Sequence, residues 1–364
     1  MWPDRRLIDL FGIEHPIIQA PMAGAHKGEL AAAVSAAGGL GSLASAMMNG
    51  DGVRAQLGVI RQRTDKPFNV NFFTHEPPVA DAGREAAWRK RLAPYYAELG
   101  LDADAKVTAA SRAPFDAALC ELMVEARPRV VSFHFGLPAA LLMKRLKDAR
   151  VLVIASATTV EEARWLEANG VDAVIAQGAE AGGHRGMFLA DDIAQQPGTI
   201  ALVPQVVDAI KLPVIAAGGI GDARGIAAAF MLGAAGVQMG TAFLFCPEAT
   251  ISTIHRAALK QGREDRTALT NIFTGRPARG FVNRAVRELG PIDAEAPAFP
   301  LAATALQPLR AAAEKQGEGD FSPLWSGQAA RLAREMPAAD LLQHLAAEAQ
   351  ALLSRPAGGS AGPG

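Results

Sequence analysis

Cysteine is nearly absent. Cys120 and Cys246 stand far apart, with no CxxC or Cys/His spacing around either. That excludes a disulfide framework and a thiolate metal centre, and both read as reduced, buried thiols. No HExxH-like spacing occurs, so no catalytic metal is expected. Charge of one sign is also missing. The formal net charge is −1 and no long Lys/Arg run appears, which gives no pull toward nucleic acid or an anionic membrane. Apolar runs are short and broken by Gly, Pro or charge, so no membrane span is expected. Residues 1–7 lack the apolar stretch of a secretory signal, and a soluble cytoplasmic protein is the expectation. The dinucleotide fingerprint fails too. After Gly219-Ile220-Gly221 the third glycine, Gly225, comes one place late, with no acidic residue ending a following strand.

What is present is length and apolar content. Half of the 364 residues are hydrophobic, enough for one large core or for a barrel of about 250 residues with appendages. Short apolar runs suited to buried parallel strands fall at 16–22, 40–44, 68–72, 130–135, 151–155, 173–176, 214–217 and 236–241. Helix-like, often Ala-rich segments separate them at 29–37, 53–63, 114–126, 139–148, 160–168, 203–210 and 223–232. Thr159 with Glu162 predicts a capping box, and Asp222 an N-cap. Eight such alternations predict an α/β fold, a (β/α)₈ TIM barrel, with an open doubly wound sheet as the competing architecture. The barrel is expected over residues 1–246, interrupted by a long insertion at 74–112 that holds Trp88, Tyr95 and Tyr96. A mainly helical extension follows at 247–355, and 356–364, made only of Gly, Pro, Ser and Ala, is expected to be disordered.

Chemistry concentrates at the strand ends. QGAEAGGHRG at 177–186 joins an amide, adjacent glycines, a histidine and an arginine directly after a strand. Glycine lets backbone approach a ligand closely, and histidine moves protons near neutral pH. Gly218 and Gly219 close the seventh strand, while Gln238, Met239, Gly240 and Thr241 close the eighth. In a barrel these loops are neighbours, and freed backbone N–H groups there suit a phosphate. The Thr241 hydroxyl adds a donor. Ala20, Pro21 and Met22 offer a small-residue surface for a flat ring, and the amides of Asn71 and Gln177 can bond a heteroaromatic edge. A flat ring with a phosphate tail fits this set, and FMN meets that description. His134 closes the fourth strand and His184 follows the sixth, so both face the barrel mouth. His15, His26, His75, His255 and His344 stand in less suggestive settings.

Together these stretches resemble the nitronate monooxygenase family, formerly 2-nitropropane dioxygenases, and look like its bacterial class I branch. The resemblance rests on QAPMA at 19–23, NVNFF at 69–73, SFHFGLP at 132–138, the 177–186 loop, AGGI at 217–220 and QMGT at 238–241. FTGRPAR at 273–279 and LWSGQ at 324–328 extend it into the tail. It implies a TIM barrel with non-covalent FMN that oxidises alkyl nitronates such as propionate 3-nitronate with O₂. Carbonyl compound and nitrite are the products, a flavin semiquinone forms on the way, and reduced pyridine nucleotide is not needed.

By position, Gly218, Gly219, Gln238, Met239, Gly240 and Thr241 would surround the FMN phosphate, while Asn71, Gln177, Gly182 and Gly183 would meet the rest of the flavin. His184, as a cationic imidazole, would hold the anionic nitronate or act as base toward a nitroalkane, and His134 would shape the same pocket. Tyr95 and Tyr96, the only tyrosines, would line the mouth. Phe281 and Phe299 would stand where class I places further tyrosines.

Two alternatives share the glycine loops: an FMN-dependent NAD(P)H:quinone or enoyl-thioester reductase, and a flavin-binding protein without catalysis. An inosine-monophosphate dehydrogenase-like reading fails for want of a cysteine near the sixth strand. A homodimer is compatible with the Ala-rich helices, though nothing in the sequence demonstrates one.

Overall fold

The computed structural model describes residues 1–102, 107, 112–261 and 266–354. The expected tail at 356–364 and part of the 74–112 insertion lie outside them. Strands β1 (Ile17–Gln19), β2 (Gly41–Ala44), β3 (Phe68–Phe73), β4 (Val130–His134), β5 (Leu152–Ala157), β6 (Ala173–Gln177), β7 (Gly183–His184), β8 (Val214–Ala217) and β9 (Gly236–Met239) are followed by β10 (Thr267–Thr270) and β11 (Ala278–Phe281). All of these except β7, β10 and β11 pair in parallel, in the order β1-β9-β8-β6-β5-β4-β3-β2. A parallel bridge from Ile18 to Leu40 joins β1 to β2 and closes the ring. That closure settles the architecture as a TIM barrel and removes the open sheet.

The helices are α1 (Arg6–Phe11), α2 (Gly28–Ala36), α3 (Gly50–Arg63), α4 (Ala82–Glu98), α5 (Ala117–Ala126), α6 (Ala140–Asp148) and α7 (Val160–Ala168). After them come α8 (Thr199–Ala209), α9 (Ala223–Met231), α10 (Thr241–Leu244), α11 (Thr253–Lys260), α12 (Arg284–Leu289), α13 (Ala302–Lys315) and α14 (Ala338–Leu353). Asp222 caps α9 through the Arg224 and Gly225 N–H groups. Only half of the expected capping box forms. The Thr159 hydroxyl accepts from Glu162 N, but the Glu162 carboxylate turns away to Thr158 and to the N–H groups of Phe188 and Leu189.

Two apolar layers hold the barrel. Strand side chains pack outward against the helices, where Phe72, Val131, Val174 and Val237 meet Leu30, Val53, Leu146 and Ile226. Inside, α1 plugs the floor: Leu7 and Phe11 meet Ile18, Leu40, Ile154 and Ile215. Above that plug lies a polar layer. The Asn69 amide donates to the hydroxyls of Ser42 (3.0 Å) and Ser132 (2.8 Å), and Ser42 N donates to Gln19 Oε1 (2.9 Å). These paired donors stiffen the floor under whatever sits on it, while Asn69 Oδ1 is buried there without a partner.

The segment after β9 has two parts with separate tasks. Its end, α14, buries Leu341, Leu342, Leu345 and Ala349 in the same core as α2 and α9. It covers the place where a helix after the last strand belongs, since α10 has only four residues. The earlier part joins the insertion over the mouth. Trp88, Leu92 and Tyr96 of α4 pack with Ile272, Leu306 and Leu309. Trp88 Nε1 donates to the Ala302 carbonyl (3.3 Å) and Tyr96 OH to that of Ala305 (2.6 Å). The extension also contains strand: β10, β11 and β7 form an antiparallel sheet, in which Ala278 pairs with His184 and Arg279 with Gly183.

Candidate active site

A cavity of about 380 Å³ opens at the carboxyl ends of the barrel strands, under the cap. Ala20, Pro21, Met22, Asn71, His134, Gln177, Gly182, Gly183, His184, Gly218, Gly219, Gln238, Gly240 and Thr241 all line it. Of the residues expected to bind the cofactor or to act in catalysis, only Met239 does not. Its side chain lies in the core outside the ring, and its carbonyl accepts from Ala20 N (2.8 Å).

At one end the backbone makes a cradle. Gly218 and Gly219 adopt φ of +110° and +70°, a region that L side chains rarely enter. A Cβ on Gly218 would come within 2.9 Å of Thr199 Oγ1, and one on Gly182 within 2.5 Å of Gly327 N. Among the described residues the N–H groups of Gly219 and Ile220 have no acceptor. The Thr241 hydroxyl accepts from Gly327 N (2.9 Å), which leaves its own hydrogen to donate. Glu180 braces this end by accepting from Thr199 N and Oγ1. That bond sets the start of α8 four residues before the expected one. In β9 beside the cradle, Gln238 Oε1 is buried without a partner.

At the other end stand the two histidines. Gly186 leaves room for His134, since a Cβ there would lie 2.9 Å from His134 Cε1. His134 Nε2 donates to the His184 carbonyl (3.1 Å), so its Nδ1 accepts from the Ser156 hydroxyl (3.0 Å). Gln177 Nε2 donates to the same carbonyl (3.0 Å), and Gln177 Oε1 accepts from Gly186 N (2.8 Å). The Gln177 amide is thus engaged at both ends in fixing the histidine loop. Asn71 Nδ2 donates to Ser132, which leaves Oδ1 as its available end. His184 Nε2 meets Thr274 Oγ1 at 2.9 Å, and that hydroxyl donates onward to the Arg276 carbonyl (3.4 Å). His184 therefore donates through Nε2 and keeps the Nδ1 lone pair.

The expected cationic imidazole is corrected by this environment. Burial first, then Arg112, His134, Arg276 and His75, hold His184 well below its ordinary pKa. Burial likewise brings His134 down to about 4. Both imidazoles are neutral at pH 7. Positive charge near them comes from arginines that sequence reasoning passed over. Arg112 lines the cavity, and the Arg276 guanidinium carbon lies 4.1 Å over the Phe135 ring. Arg276 sits in the polar FTGRPAR turn, which was a usable signal. Arg112 stands in the insertion with none. Arg185 of the glycine loop is structural: fully buried, it donates to the carbonyls of Gln177 and Gly178 and to Gln196 Oε1.

Phe73, Phe135 and Phe299 form the aromatic wall by His184. Phe135 takes φ of +73°, uncommon for a bulky residue, and this turn at the end of β4 sets its ring in the wall. Phe299 packs edge-on to His184, whereas Phe281 lies in a separate cluster with Leu244 and Leu324. Tyr95 and Tyr96 do not line the mouth. Both pack within the cap core, Tyr95 against Phe321.

Closed barrel, glycine cradle and a paired-histidine site beneath a cap define a TIM barrel with an active-site cavity roomy enough for a bound cofactor. The sequence matches the profile of the family described as nitronate monooxygenase over residues 4–348, and the chain belongs to that family. It is 46% identical to the nitronate monooxygenase of Paraburkholderia phytofirmans over 94% of each chain. It is 47% identical to that of Pseudomonas aeruginosa over 94% of this chain and 98% of the other. Among solved structures it is similar to a nitroalkane oxidase from Streptomyces ansochromogenes, with TM-score 0.86 and 41% identity over 95% of this chain and 98% of that one. FabK from Thermotoga maritima follows at TM-score 0.73 and 31% identity, covering 96% of each chain. Among the described residues no helix is long and apolar enough to cross a membrane.

Proposed function

We propose that the cavity holds FMN and that the enzyme oxidises alkyl nitronates with O₂ to a carbonyl compound and nitrite. The observation that carries this is the pairing of the glycine cradle with the orphaned Gln238 oxygen. A buried carbonyl oxygen without a donor costs free energy, of order 1–3 kcal/mol, that an N–H on a ring edge would relieve. The free N–H groups of Gly219 and Ile220 and the Thr241 hydroxyl suit the phosphate. Ala20, Pro21 and Met22 would lie along the ring, and Asn71 Oδ1 would reach its edge. When bound, FMN supplies the electron-transfer chemistry between substrate and O₂.

The chain's own residues do the rest. His184 presents a neutral imidazole whose Nδ1 can accept a proton or a hydrogen bond from substrate. Held as a weak base, it takes a carbon-bound proton from a neutral nitroalkane poorly, which favours the nitronate anion as substrate. His134 and Gln177 fix the His184 backbone, so the ring keeps its place. Phe73, Phe135 and Phe299 exclude water from the same side.

The test is anaerobic mixing of the purified yellow protein with propionate 3-nitronate and, separately, with NADH. A rapid change in the flavin spectrum with nitronate and none with NADH is expected. Bleaching by NADH alone would move the protein to the reductases, and a colourless protein would remove FMN.

A further inference from the structure

Among the described residues Arg112 is the only arginine lining the histidine end of the cavity, alongside His134, His184, Asn71 and Phe73. It is half-buried, with its guanidinium carbon 5.3 Å over the Phe299 ring. Among the described residues no carboxylate pairs with it, and burial alone depresses its pKa. The other buried arginines around the site are engaged. Arg276 donates to the Met187 carbonyl and lies near Glu162. Arg279 donates to Ala179 and Thr267 and lies near Glu180. His75, 5% exposed and edge-on to Phe299 at 4.8 Å, lies beside the Arg112 backbone.

We infer that Arg112 is the anion receptor of the cavity, and that it selects nitronates carrying a second negative group, a carboxylate, over those with an uncharged tail. This rests on the nitronate reading above. A half-buried guanidinium without a counter-ion is costly, and a planar carboxylate matches its fork in a bidentate pair. The reacting nitronate is a worse partner. Its negative charge is consumed in the reaction, so pairing Arg112 with it would stabilise the ground state more than the transition state and slow turnover. A carboxylate elsewhere on the substrate keeps its charge throughout and can anchor without that penalty.

The test compares wild type, Arg112→Met and Arg112→Lys on propionate 3-nitronate and on propyl 1-nitronate, which has no carboxylate. Circular dichroism establishes that each variant folds. In Arg112→Met the ratio of kcat/KM for the carboxylate substrate over the uncharged-tail one should fall on the order of 10- to 100-fold, the scale of a charged hydrogen bond. The fall should lie in KM, with partial recovery in Arg112→Lys. A ratio unchanged within about threefold would overturn the inference, whether both substrates lose equally or neither does. Calorimetric titration with propionate needs no turnover. Propionate binding that disappears in Arg112→Met upholds the receptor even if wild type oxidises neither nitronate. Equal propionate binding in both proteins, or none in wild type, sinks it.

Discussion

At the scale of single residues the site is built around one carbonyl. His134 and Gln177 both donate to the His184 backbone oxygen, so two side chains from β4 and β6, on either side of β5, fix the position of a third on the cap sheet. The imidazole is left one protein bond, to Thr274, and a free lone pair. Replacing His184 by Asn keeps a polar group of similar reach but removes the basic nitrogen. Turnover of nitronate should fall, and that of a neutral nitroalkane, the substrate with a proton to lose, should fall further, on the order of 10²-fold, the usual worth of a positioned base. Flavin content should be unchanged, because the cradle is built from Gly218, Gly219 and Thr241. Oxygen-consumption rates and the absorbance ratio of purified protein decide the matter: equal rates would take His184 out of the reaction. The charge state of this residue was not legible in the sequence. GGHRG identifies a histidine at a strand end, but its neutrality depends on burial and on Arg112 and Arg276, which come from distant segments.

At the scale of elements, the last helix belongs to the barrel's own wall. Leu342 of α14 is fully buried, and its methyl groups lie 2.9–3.0 Å from where a Cβ on Gly39 would stand, so the helix docks directly on the bare backbone before β2. Leu342→Ala should cost about 2–5 kcal/mol, the range for a buried leucine lost to a cavity. Thermal melts of the two proteins measure it, and a loss under about 0.5 kcal/mol, typical of surface changes, would mean that α14 only rests on the surface. The barrel strands were legible because parallel strands covered on both faces read as near-continuous apolar runs bounded by glycine. What was not legible follows from distance. The helical α14 pattern predicts a helix but not that it fills the gap between α9 and α2. The β10–β11 hairpin joins β7 across about ninety residues, and no local period announces such a pairing. Tyr95 and Tyr96 sit on a helix whose buried face turns toward α13, and periodicity alone could not choose between that core and the cavity.

For the whole molecule, the buried histidines tie stability to pH. Burial lowers His26 to about 4, where it bridges Gln19 in the polar floor and Met22 N at the cavity wall, and lowers His134 to about 4 beside the cavity. In the unfolded chain both titrate near the ordinary 6.5. Between those two values the unfolded state binds more protons, so stability rises with pH across the window. Their contribution is fully present above about pH 6.5 and is lost as pH falls toward 4. A fall from 6.5 to about 4 corresponds to roughly 3 kcal/mol for each histidine. His184 and His255, also lowered by burial, act in the same direction. The unfolding midpoint should therefore be flat from pH 7 to 8 and drop steeply from 6.5 to 4.5. Replacing His26 by Gln, which keeps hydrogen-bonding capacity without a titrating nitrogen, should make that drop shallower by part of its 3 kcal/mol. Denaturant titrations at pH 7.5 and 5.0 on both proteins measure the difference. An identical pH dependence in wild type and His26→Gln would show that the floor histidine carries no proton linkage and that acid lability arises elsewhere in the fold.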